Sequence, residues 1–223
     1  WSPETVLERL SVYTSIAKTF RNPNTDELAQ TAQTNSTDAD PLKPQTADRI
    51  ELGFNLASDK TSLSLGAFYF RTEDEIIFRT AGPLESGDNT NFPQPIYRSG
   101  IELEITSTIT SSLEANINLG YTRARTQNNQ LIPLVPKLTA AANINWSVSD
   151  NTRIHFSTRY NSRRVDGNDT DGDQYRRLNS HRLSDLKISF TPPTERAKPW
   201  QFYLGINNVF NEEYFLLAYN ETV

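Results

Sequence analysis

The 223-residue sequence predicts an all-β chain, an antiparallel up-and-down transmembrane barrel of which it supplies about nine strands. Three observations predict this. Nine segments alternate apolar and polar residues with a period of two, the signature of strands with one apolar face. Short and long connections follow one another in strict alternation. Aromatic residues sit near both ends of the apolar faces, where strands would meet the two membrane–water interfaces.

The strands can be justified in order. Leu10–Ile16 places Leu10, Val12 and Ile16 on one face, and Ile50–Leu56 sets Ile50, Leu52, Phe54 and Leu56 against Glu51, Gly53 and Asn55. Leu63, Leu65, Ala67 and Tyr69 alternate with Ser62, Ser64, Gly66 and Phe68. Ile101, Leu103 and Ile105 alternate with Glu102, Glu104 and Thr106, and Leu113 to Tyr121 alternates with Glu114, Asn116, Asn118 and Gly120. Leu138–Val148, Ile154–Tyr160, Leu186–Phe190 and Trp200–Phe210 complete the series. Helical periodicity is confined to a turn around Thr25–Gln33. The short connections are Ser58–Lys60, Thr110–Ser112, Ser149–Asn151 and Thr191–Pro199. The long polar ones run from Arg21 to Arg49, Thr72 to Arg98, Arg123 to Lys137 and Arg163 to Ser180. Four such loops are unusual in one compact soluble domain. They are the ordinary pattern of a barrel with tight turns at one membrane face and long loops at the other.

Composition agrees. Hydrophobic residues are only 36 %, and the balance is made up by 24 Thr, 20 Asn and 19 Ser rather than by charge. A lumen-facing half of every strand accounts for that polarity. An aromatic content of 10 % argues against disorder. No run of 18 apolar residues occurs, so spanning helices are excluded and strands remain. The outward set should include Leu65, Leu103, Ile117, Ile144, Phe156 and Leu204, with Glu51, Glu102, Glu104 and Glu114 inward. Trp146, Phe190 and Trp200 form the girdle beside the short turns, and Phe20, Tyr69, Tyr121 and Tyr160 the girdle beside the long loops. A net charge of −5 argues against a nucleic-acid partner. The lack of cysteine excludes disulfides, Cys-ligated metals and thiol catalysis. With only His155 and His181, a multi-histidine metal centre is not expected. Asp166–Asp173 has oxygen ligands at alternate positions, but it lacks the glycine and terminal glutamate of a calcium loop and reads as a solvated acidic loop.

Several strings resemble one family. Tyr13–Leu28, with Phe20-Arg-Asn-Pro23 followed by Glu27-Leu28, resembles a strand-to-loop segment of TonB-dependent outer-membrane receptors. Leu42-Lys-Pro-Gln-Thr-Ala-Asp-Arg-Ile-Glu-Leu-Gly53 resembles that family's Leu-Lys-Pro-Glu string, with Gln45 in place of the glutamate. Ser99-Gly-Ile-Glu-Leu-Glu104, Val135-Pro-Lys137 and Asn207-Asn-Val-Phe-Asn-Glu-Glu-Tyr-Phe215 resemble three further family strings, in the family's order. The resemblance implies a 22-stranded barrel filled by an N-terminal plug that carries the TonB box. Residues 1–223 would then be the C-terminal portion of the β-barrel, with the plug domain and the final strand outside this sequence. It implies an active-transport receptor of the Gram-negative outer membrane that binds a siderophore-type ferric chelate and imports it with energy from the TonB system. The implied partners are the TonB–ExbB–ExbD complex through the plug, the metal chelate, and lipopolysaccharide or other outer-membrane lipid. The chelate would be cargo, with no resident cofactor, and no residue would be catalytic. The alternatives are an outer-membrane barrel enzyme, a protease or phospholipase, and a passive porin.

Nine arginines lie between Tyr121 and Arg182. Strand parity sends Arg153, His155, Arg159 and Arg163 toward the lumen, and His181, Asp185 and Lys187 on the following strand with them. Arg159, Arg163 and His181 near the outer mouth, with Arg153 deeper, are therefore the candidate ligand-binding residues. A guanidinium stays charged and pairs with carboxylates bidentately, which suits an anionic ligand. Internal pairing with glutamates, and contact of the outer-rim Arg123 with lipopolysaccharide phosphates, are the competing roles.

Overall fold

The computed structural model describes residues 9–33, 41–80, 87–166, 177–193 and 200–216. Nine strands form one antiparallel sheet in which chain neighbours are sheet neighbours. They are β1 (Leu10–Arg21), β2 (Gln45–Ala57), β3 (Thr61–Glu73), β6 (Ile96–Thr110), β7 (Leu113–Thr126), β8 (Leu138–Ser149), β9 (Thr152–Asn161), β12 (His181–Phe190) and β13 (Phe202–Ile206). Such a meander sends successive connections to opposite ends. The turns at 58–60, 111–112, 150–151 and after Phe190 share one rim, and the long loops share the other. Of the last short connection, residues 194–199 lie outside the described residues. Register shifts at Thr108/Thr110 and Ser147/Ser149 mark bulges beside two of the short turns.

The register shows why these sequences make this sheet. One row across it reads Val12, Phe54, Leu65, Leu103, Leu119 and Ala140. The adjacent row, one residue away and on the opposite face, reads Ser11, Asn55, Ser64, Glu104, Asn118, Ala141 and Arg159. A one-residue slip of β6 or β7 would put glutamates among the leucines, so the pattern pins the register. Leu65, Leu103, Ile117, Ile144, Phe156 and Leu204 all fall on the apolar face, and the four glutamates on the other. The apolar face has no protein layer over it: Ile50, Leu52, Ile101 and Leu204 are all more than half exposed. Among the described residues the buried hydrophobics are only Ile96, Ala124, Val165 and Leu178, all at the long-loop end. A sheet with one continuous apolar face and almost no core is stable where that face meets hydrocarbon.

Three features depart from the sequence reading. The long loops contain two small hairpins, β4 (Ile76–Thr80) with β5 (Gly87–Asn91), and β10 (Arg164–Val165) with β11 (Arg177–Leu178). Neither segment alternates, so periodicity gave no sign of them. The expected turn at Thr25–Gln33 is a full helix, α1 (Thr25–Gln33). The last strand stops at Ile206 instead of reaching Phe210. Asn208 and Asn211 both adopt positive φ, near 51°, and Asn208 clamps the turn by accepting from the Glu212 N–H at 2.9 Å and donating to its carbonyl at 3.0 Å. Asparagine tolerates that left-handed conformation better than other side chains with a Cβ.

Candidate functional site

The polar face forms a hydrogen-bonded inner wall. Asn116 donates to Glu104 at 3.3 Å and to Thr106 at 2.9 Å, and its carbonyl accepts from Asn118 and Asn143. Asn145 bridges Glu114 and His155, the last at 2.7 Å from the imidazole Nδ1. Mostly polar side chains on one face of β6–β9 are what alternation supplies, and cross-strand neighbours lie within reach of one another. Nearer β1, aromatics cover glycines. Tyr13 lies over Gly53, and the Phe68 ring lies over Gly100 and stacks on Phe70 at 5.1 Å. Arg49 sits 5.2 Å above the Phe70 ring and pairs with Glu51.

The four sequence-predicted ligand residues occupy three places on this wall. Arg153 pairs in register with Ser147 and Ser189 near the short-turn end. It is six residues from Arg159, about 20 Å at the rise of a strand. Arg159 is exposed and donates to Asp185 at 3.3 Å. Arg163 lies beyond the end of β9, exposed, in a small outer-rim pocket with Arg123, Lys137, Arg164 and Arg177. His181 is buried, with its Nε2 3.3 Å from Asn161 and its ring stacked on Tyr214 at 5.0 Å. Arg159 and His181 are diagonal neighbours on β9 and β12, whereas Arg153 stands apart. Asp166 is fully buried, and the remainder of the acidic loop lies outside the described residues. Among the described residues no group of three or more His, Cys, Asp or Glu is arranged to hold a metal ion.

Residues that single-strand parity did not single out turn out to organise the outer end. Arg21 donates to both Glu27 carboxylate oxygens at 3.0 and 2.9 Å, and to Gln45 at 3.2 Å. Asn24 and Glu27 exchange side-chain and backbone bonds at 2.8 Å each, a capping box that starts α1. The Arg21 guanidinium, with help from the Asn24 N–H, holds the Glu27 carboxyl below its ordinary value of 4.5. Gln45 also accepts from the Ile76 N–H, and Asn91 binds Lys43 through both its backbone groups and the Asp74 carbonyl. Arg98 grips Glu75 with two bonds of 2.6 Å. Thus the Phe20-Arg-Asn-Pro23 and Leu42-Lys-Pro-Gln45 strings meet at one guanidinium. At the other side, Asp185 accepts from the Asn208 N–H at 2.9 Å as well as from Arg159, and Arg164 donates to the Phe215 and Leu216 carbonyls. The Asn207–Phe215 string is therefore docked onto β12 and β10.

Comparison with known proteins follows from this geometry. The family model described as "TonB dependent receptor-like, beta-barrel" matches residues 2–209. The ferric yersiniabactin uptake receptor FyuA from Yersinia pestis superposes with a TM-score of 0.73 at 19 % identity, covering 96 % of this chain and 32 % of that one. The FrpB iron transporter from Neisseria meningitidis gives 0.70 at 19 % identity over 100 % of this chain and 36 % of that one. The copper transporter OprC gives 0.74 at 17 % identity, over 92 % and 32 % respectively. No curated protein matches. The chain spans about a third of the length of the structures it resembles. The chain belongs to the TonB dependent receptor-like β-barrel family, whose members are receptors and transporters of the Gram-negative outer membrane rather than enzymes.

Proposed function

We propose that the full-length protein is an active-transport receptor that binds a siderophore-type ferric chelate and imports it with energy from the TonB–ExbB–ExbD complex, acting through a plug domain. The observation that carries this reading is the family match over residues 2–209, joined to a wall with apolar outside, hydrogen-bonded polar inside and a braced outer cap. FyuA, a ferric yersiniabactin uptake receptor, and FrpB, an iron transporter, share the fold. Such a wall can present charge and hydrogen bonds to cargo. Growth of a deletion strain on a panel of iron sources tests the transport reading. Failure on one ferric chelate, restored by the wild-type gene, is expected. Unchanged growth on every source would overturn it.

Arg159 and Arg163 are the proposed contacts for an anionic chelate, since both guanidinia are exposed at the upper half of the wall. Arg153 would meet cargo deeper in the lumen, and His181 only after Tyr214 moves aside. Replacing Arg159 and Arg163 together by Gln keeps polarity and removes two charges. The dissociation constant for the ferric chelate identified by growth should rise at least tenfold, about 1.4 kcal/mol. Unaltered affinity with lower thermal stability would mean that the Arg159–Asp185 pair serves the wall alone.

A further inference from the structure

We propose that Arg153 and Lys187 form a binding site for the carboxylates of anionic cargo at the short-turn end of the lumen, a second station after the outer contacts. The proposal rests on the transport reading and extends it to the exit side. The two cations line a hollow of about 440 Å³ on the polar face, together with Ser147, Ser189 and His155. A volume of that order suits a small-molecule site. Arg153 pairs in register with Ser147 on β8 and Ser189 on β12, so a hydroxyl flanks the guanidinium on each side. Lys187 pairs with His155, which makes Lys187 and Arg153 diagonal neighbours, about 7–8 Å apart across the sheet. Trp146 of the short-turn girdle borders the same hollow, which sets its height at the periplasmic membrane–water interface.

Charge balance singles out this place. Three other lumenal cations are met by carboxylates: Arg49 pairs with Glu51, Arg98 with Glu75 and Arg159 with Asp185. Among the described residues, no ion pair involves Arg153 or Lys187. The nearby acids are already engaged. Asp185, two residues along β12 from Lys187, holds Arg159 with one oxygen and the Asn208 N–H with the other. Glu114, on the β7 side of the hollow, accepts from Asn145 at 3.5 Å. The Lys187 ammonium instead lies 5.2 Å from the centre of the Tyr203 ring, which steadies it without neutralising its charge. Two like charges on diagonal positions repel. A carboxylate between them relieves that repulsion, while the guanidinium fork and the serine hydroxyls supply its hydrogen bonds. An anionic chelate descending from Arg159 would thus meet a second pair of cations about 20 Å further in.

The test uses purified full-length receptor in detergent, with citrate as an iron-free tricarboxylate probe and isothermal titration calorimetry as the readout. The Arg159→Gln, Arg163→Gln receptor, stripped of its outer contacts, should still bind one citrate. Adding Arg153→Gln and Lys187→Gln should weaken that binding at least tenfold, about 1.4 kcal/mol. Adding Lys187→Arg instead, which keeps the charge, should preserve it. Heat-modifiable migration confirms that each variant is folded. In cells, Arg153→Gln with Lys187→Gln should lower the maximal uptake rate of the radiolabelled ferric chelate identified by growth. The half-saturating concentration should stay unchanged, because capture at the outer mouth comes first. Absence of citrate binding in the outer-contact variant overturns the proposal, since the two cations would then be met by the plug. Citrate binding that survives the loss of both cations overturns it too, as does an unchanged maximal uptake rate. A growth phenotype without citrate binding overturns this site alone. Unchanged growth on every iron source overturns the transport reading and the cargo role of the site with it.

Discussion

Asp185 shows how a single side chain changes meaning once its neighbours are known. Its parity marks it as lumenal, and so does that of Arg159. Only the structure shows that one oxygen holds Arg159 while the other holds the Asn208 N–H. Glycines give a sharper test at this scale. A Cβ at Gly100 would overlap the Tyr121 carbonyl oxygen and meet the Phe68 ring at 2.6 Å, whereas a Cβ at Gly66 meets nothing within 4 Å. The backbone oxygen cannot step aside without disturbing the β6–β7 ladder. Gly100→Ala should therefore cost about 1–3 kcal/mol, the range of an overpacked site. Gly66→Ala should be neutral or slightly stabilising. Urea unfolding of the full-length receptor in lipid vesicles measures both, and equal effects would contradict the close approach of Phe68.

Strands, loops and the helix carry their own expectations. On β7, Leu113 pairs with the girdle residue Trp146, and Tyr121 forms part of the opposite girdle. Eight residues at ~3.4 Å and ~40° tilt make about 21 Å of height, close to the ~25 Å apolar band of such barrels. Ile117 lies midway, beside Ile105 and Ala142. Ile117→Arg should cost ~2–4 kcal/mol, read by the same unfolding assay. In the outer cap, the Glu27 carboxyl is bound as its anion, with its pKa lowered by Arg21. A lowered carboxylate contributes stability that is complete above its unfolded value and lost as pH falls through the lower folded one. Protection of the Arg21–Gln33 segment from hydrogen exchange should thus hold from neutral pH down past 4.5 and fail only in stronger acid. Arg21→Gln should move that loss upward toward the ordinary carboxylate range. A profile unchanged by the substitution would show that the pair does not hold the cap.

At the scale of the whole molecule, the sheet has two edges. β1 and β13 each have one neighbour, so each presents a row of backbone groups that cannot remain unpaired in hydrocarbon. Closure requires strands beyond the nine described. In the full-length receptor, the amides of β1 that point away from β2 should be as protected from exchange as those that point toward it. With residues 1–223 alone in detergent, the outer set should exchange fast. Equal protection in the isolated chain would mean that the nine strands close on themselves or pair between copies.

Much of this fold was legible because a period of two is a local property. Each strand declares which residues share a face, and the alternation of loop lengths declares which ends lie together. Faces, strand count and the two aromatic girdles therefore followed from the sequence. The strings that carry the resemblance are scaffold: Arg21, Gln45 and Asn208 hold turns and caps in place. The β4–β5 and β10–β11 hairpins, the burial of His181 behind Tyr214 and the grouping of Arg123 with Lys137 and Arg163 depended on contacts between residues 7 to 40 positions apart, in loops without periodicity. No local pattern encodes such contacts. The last two are decided only when β9 and β12 bring their ends beside the loops of β7 and β8 at the sheet's outer rim.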